Sequence, residues 1–194
     1  MIKAIVLFIL IVTAAVAVLL FLKHRITESP PSRPAEQGRE TGSSRPGSLS
    51  GSSGTADLVF IEKKARRLTL FRGGKPLRSY RVALGFEPVG KKTIEGDGRT
   101  PEGRYVIDRR KQNSRFHRAL HISYPNAEDK RQAAARGVSP GGDIMIHGLM
   151  KGMGWLGKAH LLRDWTLGCI ALTNEEIDEI WRMAPDGTTV EIVP

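Results

Sequence analysis

The chain has 194 residues, with 30 Lys and Arg against 20 Asp and Glu, a net charge of +10 and a single cysteine. That length holds one domain with flanking segments, and one cysteine excludes both an intramolecular disulfide and a cysteine-rich zinc site. The charge points to an acidic partner such as nucleic acid, anionic lipid or an anionic wall polymer. Its densest runs, Lys63–Lys64–Ala65–Arg66–Arg67 and Arg109–Arg110–Lys111, interleave no aromatics as a single-strand nucleic-acid platform would. Each reads as a solvated face or turn.

In chain order, Ala4 to Leu22 is nineteen uncharged, nearly all apolar residues, the length of a bilayer-spanning helix. Ala15–Val16–Ala17 resembles a signal-cleavage triplet, but the apolar run continues through Val18–Leu22, which favours an uncleaved anchor over a signal peptide. Lys3 flanks one end and Lys23 and Arg25 the other, so flanking charge does not set the orientation. Residues 23–55 are rich in Ser, Gly, Pro, Glu and Arg, a composition that cannot bury enough apolar surface to fold. This segment reads as a disordered tether with an r.m.s. reach of roughly 30 Å.

Residues 56–194 form the predicted folded domain. Leu58–Ile61, Arg67–Phe71, Ser79–Leu84, Gly103–Ile107, Ala119–Ser123, Asp143–His147 and Val190–Val193 read as short strands. Gly73–Gly74 is a predicted hairpin turn, because both residues tolerate positive φ. His117 and His121 are four apart, a helical spacing, yet the alternation around them reads as strand. Two helices are expected, an alanine-rich one over 127–136 and one opened by a capping box at Thr173–Asn174–Glu175–Glu176, with Ile177, Ile180 and Trp181 on its apolar face. Short strands, few helices and glycine-rich turns predict a mainly β sandwich or barrel. No internal repeat is visible.

The chemistry concentrates in Ile144–Met145–Ile146–His147–Gly148 and Asp164–Trp165–Thr166–Leu167–Gly168–Cys169–Ile170–Ala171–Leu172. Cysteine and histidine are the minimum set for a thiol nucleophile and its base, although a lone cysteine is also commonly a small buried hydrophobe. Gly168 lets the backbone turn tightly before Cys169, so that the N–H groups of both residues converge on a developing oxyanion. Gly148 admits a close neighbour at the His147 backbone, and Thr166 places a hydroxyl three residues before the thiol. An ion pair or hydrogen bond from His147 is expected to lower the Cys169 pKa.

These motifs resemble the catalytic domain of the L,D-transpeptidases, the cysteine enzymes that crosslink bacterial peptidoglycan. That family carries a His–Gly pair followed by Ser/Thr-x-Gly-Cys, here His147–Gly148 and Thr166–Leu167–Gly168–Cys169. Ala83–Leu84–Gly85, Gly96–Asp97–Gly98–Arg99–Thr100–Pro101–Glu102–Gly103, Ser123–Tyr124–Pro125–Asn126 and Gly142–Asp143 also fit, so the likeness covers roughly 57–194. It implies a β-sandwich with a cradle-like active site and about two short helices, Cys169 as nucleophile, His147 as base, and the Gly148 carbonyl region orienting His147. It further implies acyl transfer from a tetrapeptide stem to an amine, with no metal or cofactor. A hydrolytic relative, acting as L,D-carboxypeptidase or amidase, and a catalytically silent wall-binding module are the alternatives. The chain departs from the family at Ala171, where many members carry an arginine near the substrate, and in its Asp164–Trp165–Thr166 lead-in. Peptidoglycan as partner, with no nucleic acid, puts the expected domain in the periplasm on an inner-membrane anchor.

Overall fold

The computed structural model describes residues 54–194. The predicted membrane segment and nearly all of the predicted linker lie outside the described residues. Among the described residues no helix is long and apolar enough to cross a membrane.

Eight strands, β1 (Leu58–Glu62), β2 (Arg67–Arg72), β3 (Lys75–Arg81), β4 (Gly103–Ser114), β5 (His117–Ile122), β6 (Met145–His147), β7 (Ile170–Ala171) and β8 (Thr189–Val193), form one sheet in the order β3-β2-β1-β8-β4-β5-β6-β7. Strand β4 joins its two halves. Gly103–Val106 pairs with β8, and Ile107–Ser114 pairs with β5. Bridges Ala83 to Ala171 and Gly85 to Thr166 then bring the chain just past β3 against β7 at the far end of the order. Side chains of both halves, including Val59, Leu70, Ile107, Leu120, Ile146 and Ile170, meet in one core. The expected mainly β domain is therefore present, and its two halves are parts of one folded-back sheet.

Local chemistry explains most elements. Gly73 and Gly74 have φ of 53° and 73°, the geometry that a two-residue hairpin needs between β2 and β3. Helix α1 (Ala127–Ala135) opens on an Asn126–Asp129 capping box. Helix α2 (Asn174–Met183) opens on the predicted box: the Glu176 N–H donates to Thr173 Oγ1 at 3.3 Å, and the Thr173 N–H donates to Glu176 Oε2 at 3.0 Å. Ile177 and Ile180 of α2 are fully buried, each contributing about 1.5–3 kcal/mol of apolar transfer.

Three features differ from expectation. Strand β3 spans Lys75–Arg81 rather than the expected Ser79–Leu84, and so contains Pro76. It is the terminal strand of the order and carries an irregularity opposite, between Leu70 and Phe71, the setting in which a missing N–H is tolerated. The two basic runs are not simply solvated. Lys63 is 2 % exposed, with Nζ donating to the Gly90 and Thr100 carbonyls and to Glu102. Arg109–Arg110–Lys111 lies within β4, where Arg110 reaches the Trp181 and Ala184 carbonyls at the end of α2 and satisfies acceptors that a helix C-terminus leaves open. A third helical segment, a 3-10 stretch over Gly154–Leu162 broken by a kink at Gly157, occupies the insert between β6 and β7; it has no amphipathic period to announce it.

Candidate active site

His147 ends β6 and Cys169 immediately precedes β7. These two strands run parallel, with Ile146 opposite Ile170 and His147 opposite Ala171. Alternation along the strands puts Cys169, Ala171, Met145 and His147 on one face. The topology thus brings the two chemistry-bearing side chains of the sequence to one face of adjacent strands, on a diagonal, with His147 level with Ala171 and Cys169 level with Met145.

His147 is 2 % exposed. Its Nδ1 donates to the Gly148 carbonyl at 2.6 Å, which assigns the tautomer and leaves Nε2 with its lone pair free. Phe116 packs on the ring, with centroids 4.4 Å apart, and Trp165 meets it edge-on at 6.0 Å. Burial lowers the His147 pKa to about 4. The Gly148 bond opposes that shift, and His160 adds to it.

Gly148 earns its place by proximity. A Cβ there would meet Asn174 Oδ1 at 2.8 Å and Ile177 Cγ2 at 3.0 Å. The close neighbour is therefore the first turn of α2, whose Asn174 also accepts from the Leu149 N–H at 2.9 Å.

Cys169 is partly exposed. Its Sγ–H donates to the Asp143 carbonyl at 3.7 Å. Burial raises the thiol pKa. The Met145 N–H, Lys92 and Lys111 pull it down, Asp143 pushes it up, and the balance lies above the ordinary thiol value. The expected thiolate–imidazolium pair is not what the geometry shows. The thiol bonds to a carbonyl, no Cys169–His147 hydrogen bond appears among the described residues, and burial drives both groups toward their neutral forms. Desolvation outweighs the attraction that an ion pair would bring.

Thr166 ties the turn together. Its hydroxyl donates to the Cys169 carbonyl at 2.7 Å and accepts the Gly168 N–H at 3.1 Å. Gly168 has φ 124°, and a Cβ there would stand 2.6 Å from the Arg99 carbonyl, so no other residue fits. The Gly168 N–H is thus engaged by Thr166, whereas the Cys169 N–H has no hydrogen-bond partner among the described residues. Asp164 anchors the approach to this turn: it accepts the Leu84 N–H at 2.9 Å and pairs with Arg66 at 2.9 Å.

The sequence reading did not single out several contributors. Asp143, at φ 54°, presents its carbonyl to the thiol. Phe116 covers the imidazole, and the Met145 N–H favours the thiolate. Asp143 and Met145 stand in the run before His147, but no side-chain pattern announces a backbone role. Phe116 is brought in only by the β4–β5 turn. The β6–β7 insert adds an apolar cavity of about 540 Å³ lined by Leu149, Met153, Leu156, His160, Leu162 and Trp165. Among the described residues, no group of three or more His, Cys, Asp or Glu is placed to hold a metal ion.

The family model of the L,D-transpeptidase catalytic domain, YkuD, matches residues 56–192. The chain belongs to that family. Two Escherichia coli proteins, from strain K12 and from O157:H7, each named "Putative L,D-transpeptidase YafK", are 33 % identical over 135 residues. The match covers 66 % of this chain and 47 % of each of theirs, so the chain spans about half the length of the curated relatives it matches. The helical cell shape determining protein Pgp2 of Campylobacter jejuni superposes with a TM-score of 0.55 at 26 % identity, over 72 % of this chain and 48 % of that one. Bd1075 of Bdellovibrio bacteriovorus shares the fold at TM-score 0.51 and 21 % identity, over 74 % of this chain and 50 % of that one. The L,D-transpeptidase-like fold expected from the motifs is the fold observed.

Proposed function

We propose that this L,D-transpeptidase domain acts on peptidoglycan stem tetrapeptides by cysteine acyl transfer, with Cys169 as nucleophile and His147 as base. The observation that carries the reading is the His147 tautomer. Nδ1–H is fixed on the Gly148 carbonyl at 2.6 Å, and the ring is buried and neutral, one strand over from Cys169. A neutral imidazole with a free Nε2 accepts the thiol proton as Sγ attacks the carbonyl of the stem's third residue. Sγ–C bond formation and proton transfer are then coupled, because neither separated charge is favoured beforehand. The Cys169 N–H is the donor left for the oxyanion, while Thr166 holds the Gly168 N–H and fixes the turn. The C–N bond breaks, His147 returns the proton to the departing D-alanine amine, and the acyl group stays on sulfur as a thioester. An amine from a second stem resolves the thioester into a crosslink. Water in its place leaves a shortened stem.

The +10 charge suits an anionic polymer. The apolar run 4–22 followed by a Ser/Gly/Pro-rich segment suits a membrane-tethered enzyme whose domain faces the wall, in the periplasm. Protease added to spheroplasts should reach the domain; protection would sink that placement.

The test of the chemistry is incubation of the protein with purified wall, followed by mass spectrometry of the muropeptides. Crosslinked dimers mark an amine acceptor, and tripeptide stems mark water. Cys169→Ala should stay folded and give neither product. A carbapenem should acylate the wild type at Cys169, and a silent wall-binding module would form no such adduct.

A further inference from the structure

The strand register draws two rows of side chains across the face that carries the site. In one, Lys111 of β4 stands opposite Ala119 of β5, Ala119 opposite His147 of β6, and His147 opposite Ala171 of β7. In the other, Arg109 stands opposite His121, and His121 opposite Met145, whose N–H lies at the thiol. Paired residues share a face, and so do residues two apart on one strand. Lys111 and Arg109 therefore stand on the face of His147 and Cys169. Arg110 between them belongs to the opposite row, Leu120–Ile146–Ile170, and is used up on the end of α2.

Lys111 lies two strands from His147, roughly 10 Å across the sheet, and the only side chain between them in the row is the methyl of Ala119. A lysine stem spans much of that gap. Its current partner is Asp143, 3.8 Å from Nζ, which also pairs with Arg109 at 3.4 Å and His121 Nε2 at 3.7 Å. Asp143 is the residue whose carbonyl accepts the thiol's hydrogen bond, so this cluster borders the nucleophile. His121 is also held through Nδ1 by Asp108, whereas Arg109 and Lys111 share the one Asp143 carboxylate, which leaves most of their donors unfilled. An ammonium has three N–H donors and a guanidinium five, and Lys111 has no contact to Asp143 as short as a hydrogen bond. Lys92, the other cation near the thiol, is 3 % exposed and held by Asp97 at 2.8 Å and the Ile94 carbonyl at 3.0 Å, so its charge is already matched.

We propose that Lys111, assisted by Arg109, is the element that recognises the carboxylate of the donor stem's departing C-terminal residue. Asp143 holds the two cations over the site until the substrate supplies the second carboxylate. This rests on the acyl-transfer reading above. In that reaction the departing residue is a free amino acid. Its carboxylate carbon is three bonds from the carbonyl under attack, about 3–4 Å away by standard backbone dimensions, and Lys111 stands on the same face as the thiol. Both cations are specificity residues and take no part in proton transfer.

Binding can be read without turnover in the full chain carrying Cys169→Ala. A tetrapeptide stem with a free C-terminal D-alanine and the same stem ending in D-alaninamide are titrated calorimetrically. The acid should bind about tenfold tighter than the amide, the size of one charge-assisted contact at a half-exposed site. Adding Lys111→Gln should erase most of that preference and Lys111→Arg should keep it, with the amide's affinity unchanged in both. Equal binding of acid and amide, or a preference untouched by Lys111→Gln, overturns the proposal. A Lys111-dependent acid preference in a protein whose wild type forms no product would uphold carboxylate recognition and sink the acyl-transfer reading alone.

Discussion

Acidification is the perturbation that reports most directly on the site, because His147 is buried in its neutral form. An unfolded histidine titrates near 6.5, and burial lowers this one to about 4. Between those values the unfolded chain binds the proton and the folded chain does not, so stability falls as pH drops from about 6.5 to about 4 and levels off below. At 1.36 kcal/mol per pH unit, the gap is worth about 3 kcal/mol. His147→Gln keeps an N–H for the Gly148 carbonyl and removes the titration. Urea unfolding free energies at pH 7 and pH 4 should therefore drop by about 3 kcal/mol more in the wild type than in the variant. The kcat/KM profile should show the same origin, with its acid limb near 4 and well below an ordinary imidazole. Thiol alkylation should follow a midpoint above the usual thiol value, leaving on the order of 1 % thiolate or less at pH 7. Equal acid sensitivity of the two proteins, or alkylation already at its plateau at neutral pH, would refute the neutral-pair reasoning.

Other substitutions probe the supports of the site. Thr166→Val leaves the buried Gly168 N–H without an acceptor and should cost about 1–3 kcal/mol in urea unfolding, with lower turnover because the Cys169 turn loosens. Gly148→Ala forces a Cβ to 2.8 Å from Asn174 Oδ1; it should cost about 1–3 kcal/mol and reduce kcat by moving His147, and unchanged kcat would show that the α2 contact does not position the imidazole. At Asp97, burial pushes the carboxyl pKa up, but Lys92 and the N–H groups of Thr93, Arg99 and Ile94 outweigh it and hold the pKa below 3.8. Its stabilisation is present above that value and lost as pH falls through the lower folded one. Asp97→Asn should therefore be about 3–5 kcal/mol less stable at pH 7, having left Lys92 buried without its partner, and that deficit should shrink below about pH 3.8.

The legible parts of the sequence were those in which a side chain or a glycine acts locally. The Gly73–Gly74 hairpin, the Thr173–Glu176 capping box, the strand reading of His117 and His121, and the family motifs around Cys169 all belong to that class. Arg109–Arg110–Lys111 reads as a solvated face or turn because composition does not say which strand pairs where. Only the register separates Arg110, spent on the α2 terminus, from its two neighbours on the opposite face. Lys63 looks solvated for a similar reason, since its partners, the Gly90 and Thr100 carbonyls and Glu102, are remote in sequence. The protonation of the pair is not legible in the sequence, because a Cys and a His within reach suggest attraction, whereas burial penalises both charges and becomes visible only in the fold. Backbone roles, such as the Asp143 carbonyl at the thiol, carry no side-chain signature at all.

Ala171 connects these threads. The resemblance places an arginine at this position in many relatives; in this chain the position stands next to His147 in the row. Here the residue is fully buried, and its N–H and carbonyl both bond to Ala83 at the bridge that folds the sheet back on itself. A guanidinium at 171 would begin in a fully enclosed spot and need a partner there. The row has a second end. Lys111 lies on the other side of His147, across Ala119, where the head of a long side chain stays hydrated while its stem lies along the sheet. A cation reaching the site from that side brings positive charge toward Cys169 without burying it at the seam. Small residues at both positions flanking His147 in the row, Ala119 and Ala171, leave the imidazole face to Phe116. The seam is thus kept for backbone pairing, and charge enters from the open side of the sheet.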